Sequence, residues 1–390
     1  MKNGTFVNYQ LAEAVLYIKG LKEENKSPEE INEALSKLKR TWKNDIIPST
    51  GMNVPDLFGM QDLTLEQLEQ LSLELEEYDT YTVENCASMQ QVLKRSSDGS
   101  VEFDFSALDK VALLAKLNGK KIIIDSAVVH GDHFPEMLKD LSGDEIKKII
   151  SRYITELTSR YGDIIERIDV LNAIFERQDV KGKDGMSVED FWKEKLGTNY
   201  GKEIIDISSA ALEGKNIPLC WNDFYITREK YADRKERFLS TVSNIENLDI
   251  IGIQDAFQDT SDMEYITSVF NQIGDVCRTS NKKMAITECG CMLSHGTIDG
   301  LYSTLQNDPS NTTQYVGEIE ERINGIIGSI KEYASQSDFI MSTEGRISKE
   351  LDYYSHRPEL NAFKDATGII INTVGEKNIR KLEDVASINM

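Results

Sequence analysis

The sequence is poor in the residues that build metal centres and disulfide frameworks. Its 390 residues include only four His and five Cys. The cysteines are odd in number and scattered, which argues against a disulfide-stabilised fold. The pair Cys289 and Cys291 lacks the further His or Cys neighbours that zinc ligand sets usually supply. We therefore expect no metal and no other cofactor.

Basic residues are also scarce. Lys and Arg number 44 against 66 Asp and Glu, and the formal net charge is −22. Because phosphate contacts need clustered Lys and Arg, this balance argues against a nucleic-acid partner and against an anionic membrane surface. No run approaches about 18 consecutive apolar residues, so no membrane-spanning helix is expected. Residues 1–20 lack the pattern of a signal peptide, which indicates a cytoplasmic protein unless a secretion signal has been removed.

The chain alternates between short β-type runs and amphipathic helical patterns. The clear runs are residues 81–84, 121–129, 164–171, 218–221, 248–253, 284–287 and 338–341. This alternation predicts a parallel sheet covered by helices. With a weaker eighth candidate at Ile46–Ile47, it favours an α/β fold of the closed (β/α)8 TIM-barrel type. The competing doubly wound open sheet normally carries a Gly-rich phosphate loop after an early strand, and the sequence has none.

The first 45 residues carry a helical pattern instead. Ser27 and Glu30 form a capping box around Pro28, which suits the first position of a helix. We therefore expect a helical N-terminal extension over residues 1–45 and a barrel over residues 46–390. Further helices are expected over residues 106–117, 142–161, 191–212, 263–279 and 319–333, with an interruption at 197–201 and another helix opening at Thr64.

The ends of the predicted strands supply the candidates for a functional site. Reacting groups of such barrels project from the carboxyl ends of their strands. The polar or aromatic side chains found there are Asn85, His130, Asn172, Trp221, Asn222, Gln254 and Glu288. Amides and carboxylates hydrogen-bond to hydroxyl groups, and aromatic faces stack on sugar rings, so this set suits a neutral sugar. A single polar residue at a strand end is often only a helix cap, but several strand ends together favour a site.

These strand ends carry motifs that resemble one known family. The motifs are Glu84-Asn85, Asp169-Val170-Leu171-Asn172, Trp221-Asn222-Asp223-Phe224, Ile251-Gly252-Ile253-Gln254 and Ile286-Thr287-Glu288. In order and strand context they are similar to those of the family 10 glycoside hydrolases, the xylanase family, over about residues 75 to 345. The resemblance implies a retaining glycosidase whose partner is a β-linked polysaccharide or oligosaccharide.

The resemblance also assigns roles to individual residues. Glu288 lies at the position of the family's nucleophile, and Ala173 lies at the position of its acid/base Glu. Asn172 and Gln254 match family residues that hydrogen-bond the sugar and the nucleophile. A retaining mechanism needs both carboxyl groups, because one forms the glycosyl-enzyme and the other protonates the leaving oxygen. Losing the general acid typically costs about 10²–10⁴ in rate.

Ala173 leaves several explanations open. It is either an engineered replacement of Glu or a natural feature. In the second case the protein is a non-catalytic carbohydrate-binding barrel, or it uses a displaced acid, for which Glu176 is nearest in sequence. The role of Trp221 is also left open, because its side chain suits either stacking on a sugar or packing in the core.

Other family positions have changed as well. The His that follows the sixth-strand Gln is Ala256, and the last strand lacks the family's Trp. His130 and His133, with Asp132 between them, are candidates to replace part of these lost contacts. The replacements predict a glycan other than plain xylan.

Overall fold

Eight parallel strands form the centre of the fold. The structure is a computed structural model that describes residues 2–42, 46–47, 52–53, 63–84, 86–131, 133–175, 181, 185–258, 260–292, 297, 300, 303–304, 307 and 311–345. The strands are β1 (Lys2–Asn8), β2 (Thr80–Glu84), β3 (Lys121–Ile124), β4 (Ile165–Asn172), β5 (Leu219–Phe224), β6 (Ile250–Gln258), β7 (Lys283–Met292) and β8 (Ile340–Gly345). Each pairs in parallel with its neighbours in chain order, and β8 returns to β1. The predicted (β/α)8 barrel is confirmed.

Helices alternate with these strands. They are α1 (Tyr9–Glu23), α2 (Pro28–Trp42), α3 (Leu65–Glu76), α4 (Met89–Val92), α5 (Ser106–Leu117), α6 (Gly143–Tyr161), α7 (Val188–Leu196), α8 (Tyr200–Ala211), α9 (Ala232–Val242), α10 (Met263–Ser280) and α11 (Thr312–Gln336). Two short antiparallel hairpins pair Ile46–Ile47 with Met52–Asn53 and Leu93–Arg95 with Val101–Phe103.

Within the described ranges, no helix combines the length and the apolar content that crossing a bilayer requires.

The barrel begins at the second residue, so the expected boundary between residues 45 and 46 is wrong. Strand β1 pairs with both β8 and β2, and Phe6 and Val7 are buried in it. The sequence does not predict this strand because only these two adjacent residues are strongly apolar. The segment 2–42 therefore supplies a barrel strand and two helices, while Ile46–Ile47 lies in a hairpin outside the barrel. The segment 346–390, assigned to the barrel from sequence, lies outside the described residues.

Helix boundaries follow the local signals in the sequence. Ser142 and Glu145 form a reciprocal capping box at the start of α6, as predicted, and α3 begins with a similar box. The expected interruption of the 191–212 helix separates α7 from α8. Gly197 ends α7 with φ 86°, a left-handed conformation that glycine adopts without a Cβ clash.

The lumen of the barrel contains a buried ion pair. Arg167 and Asp169 both point inward from β4 and are almost fully buried. The guanidinium donates to both carboxylate oxygens, from Nε to Oδ1 at 2.6 Å and from Nη2 to Oδ2 at 3.1 Å, and from Nη1 to the Ser342 hydroxyl at 3.0 Å. Because buried charges are tolerated only when they are paired and hydrogen-bonded, this arrangement fixes β4 relative to β8 below the strand ends.

Candidate active site

Strand β4 ends in Asn172 and Ala173, two of the predicted site residues. A register shift between β4 and β5 brings both Asp169 and Asn172 to the inner face. Asn172 is 3% exposed, and its Nδ2 donates to the Ser126 hydroxyl at 2.6 Å. The Ala173 amide donates to the carbonyl of Asn222 at 3.1 Å. The end of β4 is thus held from both neighbouring segments.

The chain leaves three consecutive strands through left-handed residues that are not glycine. Ser126, Ala173 and Tyr225 have φ values of 54°, 54° and 58°. Such angles are uncommon for residues with a Cβ and concentrate at functional sites, where the surrounding structure stabilises them. The three residues follow β3, β4 and β5, which places this strain at the predicted site edge of the barrel.

Glu288 and Gln254 meet across β6 and β7. A register shift places Gln254 opposite Glu288. The Gln254 Nε2 donates to Oε1 of Glu288 at 3.3 Å. Gln254 is 2% exposed whereas Glu288 is half-buried, so the amide orients a carboxylate that reaches toward the strand ends. The structure therefore brings together two of the residues that the motifs single out.

Asn222 has a supporting position and does not reach the surface of the site. It is fully buried, and its Nδ2 lies 3.3 Å from both Asp169 Oδ2 and Thr287 Oγ1. It thereby connects β4, β5 and β7 just below Glu288. Asn222 thus lies inside the lumen, where its amide nitrogen is hydrogen-bonded to neighbouring strands, and its contact with substrate stays a prediction.

Trp221 lies on the other face of β5, away from the lumen. It is 1% exposed, and its ring centroid is 5.8 Å from that of Phe175 and 6.3 Å from that of Phe238. Gly201 of α8 packs so closely on the indole that an added Cβ would overlap it. Because side chains alternate along a strand, an inward Asn222 requires an outward Trp221. The structure therefore places Trp221 in the core, one of the two alternatives that the sequence left open, and away from the lumen where a substrate is expected.

His130 lies beside the end of β4. It belongs to a short strand, Val129–His130, that continues β3 and pairs His130 with Asn172. Its ring centroid is 4.6 Å from that of His133, and both rings are half-buried. The predicted His pair thus adjoins the site. Asn85, Asp132 and Glu176 fall outside the described residues.

Sequence reasoning missed the polar residues beneath the site. Arg167, Asp169 and Thr287 carry the contacts that fix the inner faces of β4 and β7. The signal was available, because Arg167 and Asp169 are opposite charges two residues apart in a strand and so share a face, where burial requires them to pair.

Asp255 anchors the loop that follows β5. It is 1% exposed, accepts a hydrogen bond from the Thr227 hydroxyl, and lies 3.3 Å from Nε of Arg228. Burial raises the pKa of Asp255 to about 6, and the Arg228 charge opposes that rise. Since Gln254 is the adjacent residue, this anchor also holds the end of β6.

Asp255 makes the stability of the fold depend on pH. A carboxyl whose pKa is higher in the folded than in the unfolded chain stabilises the fold at low pH, and that contribution is lost as pH rises. The shift from 3.8 to about 6 corresponds to a loss of about 3 kcal/mol between roughly pH 4 and pH 7. We expect Asp255→Asn to remove most of this slope in urea unfolding curves.

Asp104 provides the matched control for that experiment. Its hydrogen bond with Lys94 lowers the pKa of Asp104 to about 2, so its effect lies below pH 4. Asp104→Asn should leave the slope between pH 4 and pH 7 unchanged. Equal slopes in Asp255→Asn and the unaltered protein would contradict the assignment.

A closed parallel barrel with a carboxylate and amides toward the carboxyl ends of its strands defines the class: a (β/α)8 barrel whose functional groups gather at that end. A comparison with family models identifies which one. The model for glycosyl hydrolase family 10 matches residues 47–327, most of the chain. The chain belongs to glycosyl hydrolase family 10. A comparison with curated proteins finds no match.

Solved structures share the fold at low sequence identity. An endo-1,4-beta-xylanase from Caldicellulosiruptor owensensis has a TM-score of 0.56 and 16% identity, covering 92% of this chain and 88% of its own. Xylanase XynB from Paenibacillus barcinonensis, complexed with a conduramine derivative, has a TM-score of 0.56 and 18% identity, over 75% and 85%. A mutant in complex with xylotriose has a TM-score of 0.55 and 16% identity, over 92% and 88%. At these identities the likeness concerns the fold.

Proposed function

We propose that this family 10 protein is built for retaining hydrolysis of a β-linked polysaccharide or oligosaccharide, with Glu288 as nucleophile. The observation that carries the proposal is the contact between Gln254 of β6 and Glu288 of β7, 3.3 Å from amide nitrogen to carboxylate oxygen. Both residues lie where the family motifs place a nucleophile and its hydrogen-bonding partner.

The proposed reaction has two steps. The Glu288 carboxylate attacks the anomeric carbon, the bond to the leaving oxygen breaks, and a glycosyl ester forms. Water then cleaves this ester and releases the sugar with its original configuration. Gln254 fixes the carboxylate rotamer, which favours a productive approach to the anomeric carbon.

Asn172 is the proposed sugar contact on the opposite strand. Its Nδ2 donates a hydrogen bond to the Ser126 hydroxyl, while its buried Oδ1 has no hydrogen-bond partner among the described residues. A buried acceptor without a partner is costly, and a sugar hydroxyl is a suitable donor. The half-buried His130, paired in register with Asn172, is the proposed neighbour of the same sugar.

Because residue 173 is Ala, the chain lacks a carboxyl group at the family's acid/base position. A methyl group transfers no proton, so the first step has to expel an unprotonated alkoxide and the second has no general base. We propose that hydrolysis of ordinary glycosides is impaired for this reason. The buried position of Trp221 removes one stacking surface, which supports a substrate other than plain xylan.

A non-catalytic carbohydrate-binding barrel is the second candidate. Ala173 is the observation that favours it, because binding does not require an acid/base. The two candidates separate on a panel of β-1,4-xylan, glucuronoxylan, β-glucan and β-mannan oligosaccharides. Calorimetry measures binding to the unaltered chain, and a reducing-end assay measures hydrolysis by the Ala173→Glu variant. Saturable binding followed by turnover in the variant supports the hydrolase. Binding without turnover supports the second candidate, and no binding at all contradicts both.

A further inference from the structure

A cavity lies on the outer wall of the barrel, away from the proposed catalytic residues. Its volume is about 390 Å³, and it lies between the start of α8, the side of α9 and the outer face of β5. Phe175, Trp221 and Ile245 supply apolar lining, and exposed residues of α8 and α9 form its entrance. Glu288, Gln254 and Asn172 do not line it.

Two buried polar side chains that line this cavity lack partners. Tyr200 is 3% exposed and Trp221 is 1% exposed. Within the described part of the chain, neither the Tyr200 hydroxyl nor the Trp221 Nε1 has a hydrogen-bond partner. Burial raises the pKa of Tyr200 above its ordinary value, so the hydroxyl keeps its proton. Both groups can donate, and leaving such donors unsatisfied is costly.

The start of α8 adds backbone donors to the same cavity. Asn199 precedes the helix, and its side chain makes no capping hydrogen bond. The first-turn amides of Gly201 and Lys202 have no partner within the helix, and the helix dipole favours negative charge at this end. Both residues line the cavity.

Three cationic side chains and one buried carboxylate line the cavity. Lys193, Lys202 and Arg237 all line it. The buried Glu189 pairs with Arg237 and lies 3.0 Å from Nζ of Lys193, and Lys202 pairs with Asp206. Glu203 and Glu246 also lie within electrostatic range of Lys202, so the charges at the entrance are close to balanced.

Arg237 also lies over the Phe175 ring, with its Cζ 4.1 Å from the ring centroid. Phe175, Trp221 and Ile245 form the apolar side of the cavity, and the adjoining side carries the hydrogen-bond donors.

We propose that this cavity binds a small monocarboxylate with a flat, partly apolar body. The carboxylate would accept hydrogen bonds from the Tyr200 hydroxyl and the first-turn amides of α8, close to Lys202. The body would pack against Phe175 and Trp221. Aromatic acids and sugar acids share this chemistry, and the test separates them.

Calorimetric titration of the full chain with benzoate and with glucuronate, at constant ionic strength, tests the proposal. A ligand of this size supports a Kd of about 1 mM. We expect saturable binding of at least one acid, and the acid that binds more tightly shows whether the natural ligand is an aromatic acid or a sugar acid. Neutral benzamide should bind at least about tenfold more weakly. Tyr200→Phe should raise the Kd of the acid by about tenfold, because the substitution removes a hydrogen bond to a charged group.

A second variant keeps the test independent of the buried Tyr200. Asn244 is exposed at the entrance, so Asn244→Trp should fold normally and block binding. Lys148→Gln removes an exposed charge from α6, outside the cavity, and should leave the Kd unchanged. The proposal is overturned if neither acid binds up to about 20 mM, if benzamide binds as tightly as the acids, or if Asn244→Trp leaves their binding intact.

Discussion

Replacing Ala173 by Glu should raise the hydrolysis of an unactivated β-linked glycan by about 10²–10⁴-fold. The exchange supplies the carboxylic acid that protonates the leaving oxygen and the carboxylate that then activates water. Ala173 already has φ 54° and packs at the end of β4, so Glu inherits an existing backbone conformation. The gain is measured as reducing ends released per enzyme, on the glycan that binds most tightly.

The matched control is Ala173→Gln, which adds nearly the same volume but no acidic proton. It should leave the rate near that of the unaltered chain. Activated aryl glycosides provide a second comparison, because a good leaving group needs little protonation and their first step should change little. Equal gains in the Glu and Gln variants, or no gain with Glu on any glycan that binds, would refute the assignment of position 173.

Glu288→Gln, introduced together with Ala173→Glu, should reduce that hydrolysis by about 10⁴-fold or more. The amide has almost the shape of the carboxylate but cannot attack the anomeric carbon. Since Glu288 is half-buried and an amide can replace it at nearly the same volume, we expect folding and glycan affinity to be retained. The loss should therefore appear in kcat and not in KM.

Glu246→Gln is the control for this second substitution. Glu246 is exposed and lies between α9 and β6. Its replacement should change kcat by less than about twofold, since surface substitutions away from a site are usually close to neutral. Activity that survives Glu288→Gln would show that another group is the nucleophile.

The sequence predicted most of the barrel because its local signals are strong. The capping box at Ser142 and Glu145 and the interruption at Gly197 mark helix ends by hydrogen bonding and backbone conformation. Strand β1 was missed because Phe6 and Val7 alone stand out in it, and its identity depends on pairing with β2 and β8.

The site was predicted in part, for a physical reason. Motif order identified Glu288 and Gln254, and the structure brings them into contact. It did not reveal which strand-end residues face the lumen, since register shifts next to Val170 and Thr287 move side chains between faces. For this reason the sequence could not decide whether Trp221 faces a sugar or the core. In the structure its neighbour Asn222 points inward and the indole packs under α8.

If Glu288 attacks the sugar, a covalent glycosyl-enzyme must form, and its detection tests the mechanism most directly. The unaltered chain is mixed with 2,4-dinitrophenyl β-glycosides of xylobiose, cellobiose and mannobiose. Phenolate release and intact-protein mass are then followed together. Because Ala173 provides no base for the second step, we expect a burst of one phenolate per chain and one added glycosyl group on the peptide that contains Glu288. No burst with any of the glycosides, or a glycosyl group attached elsewhere, would contradict the proposed mechanism.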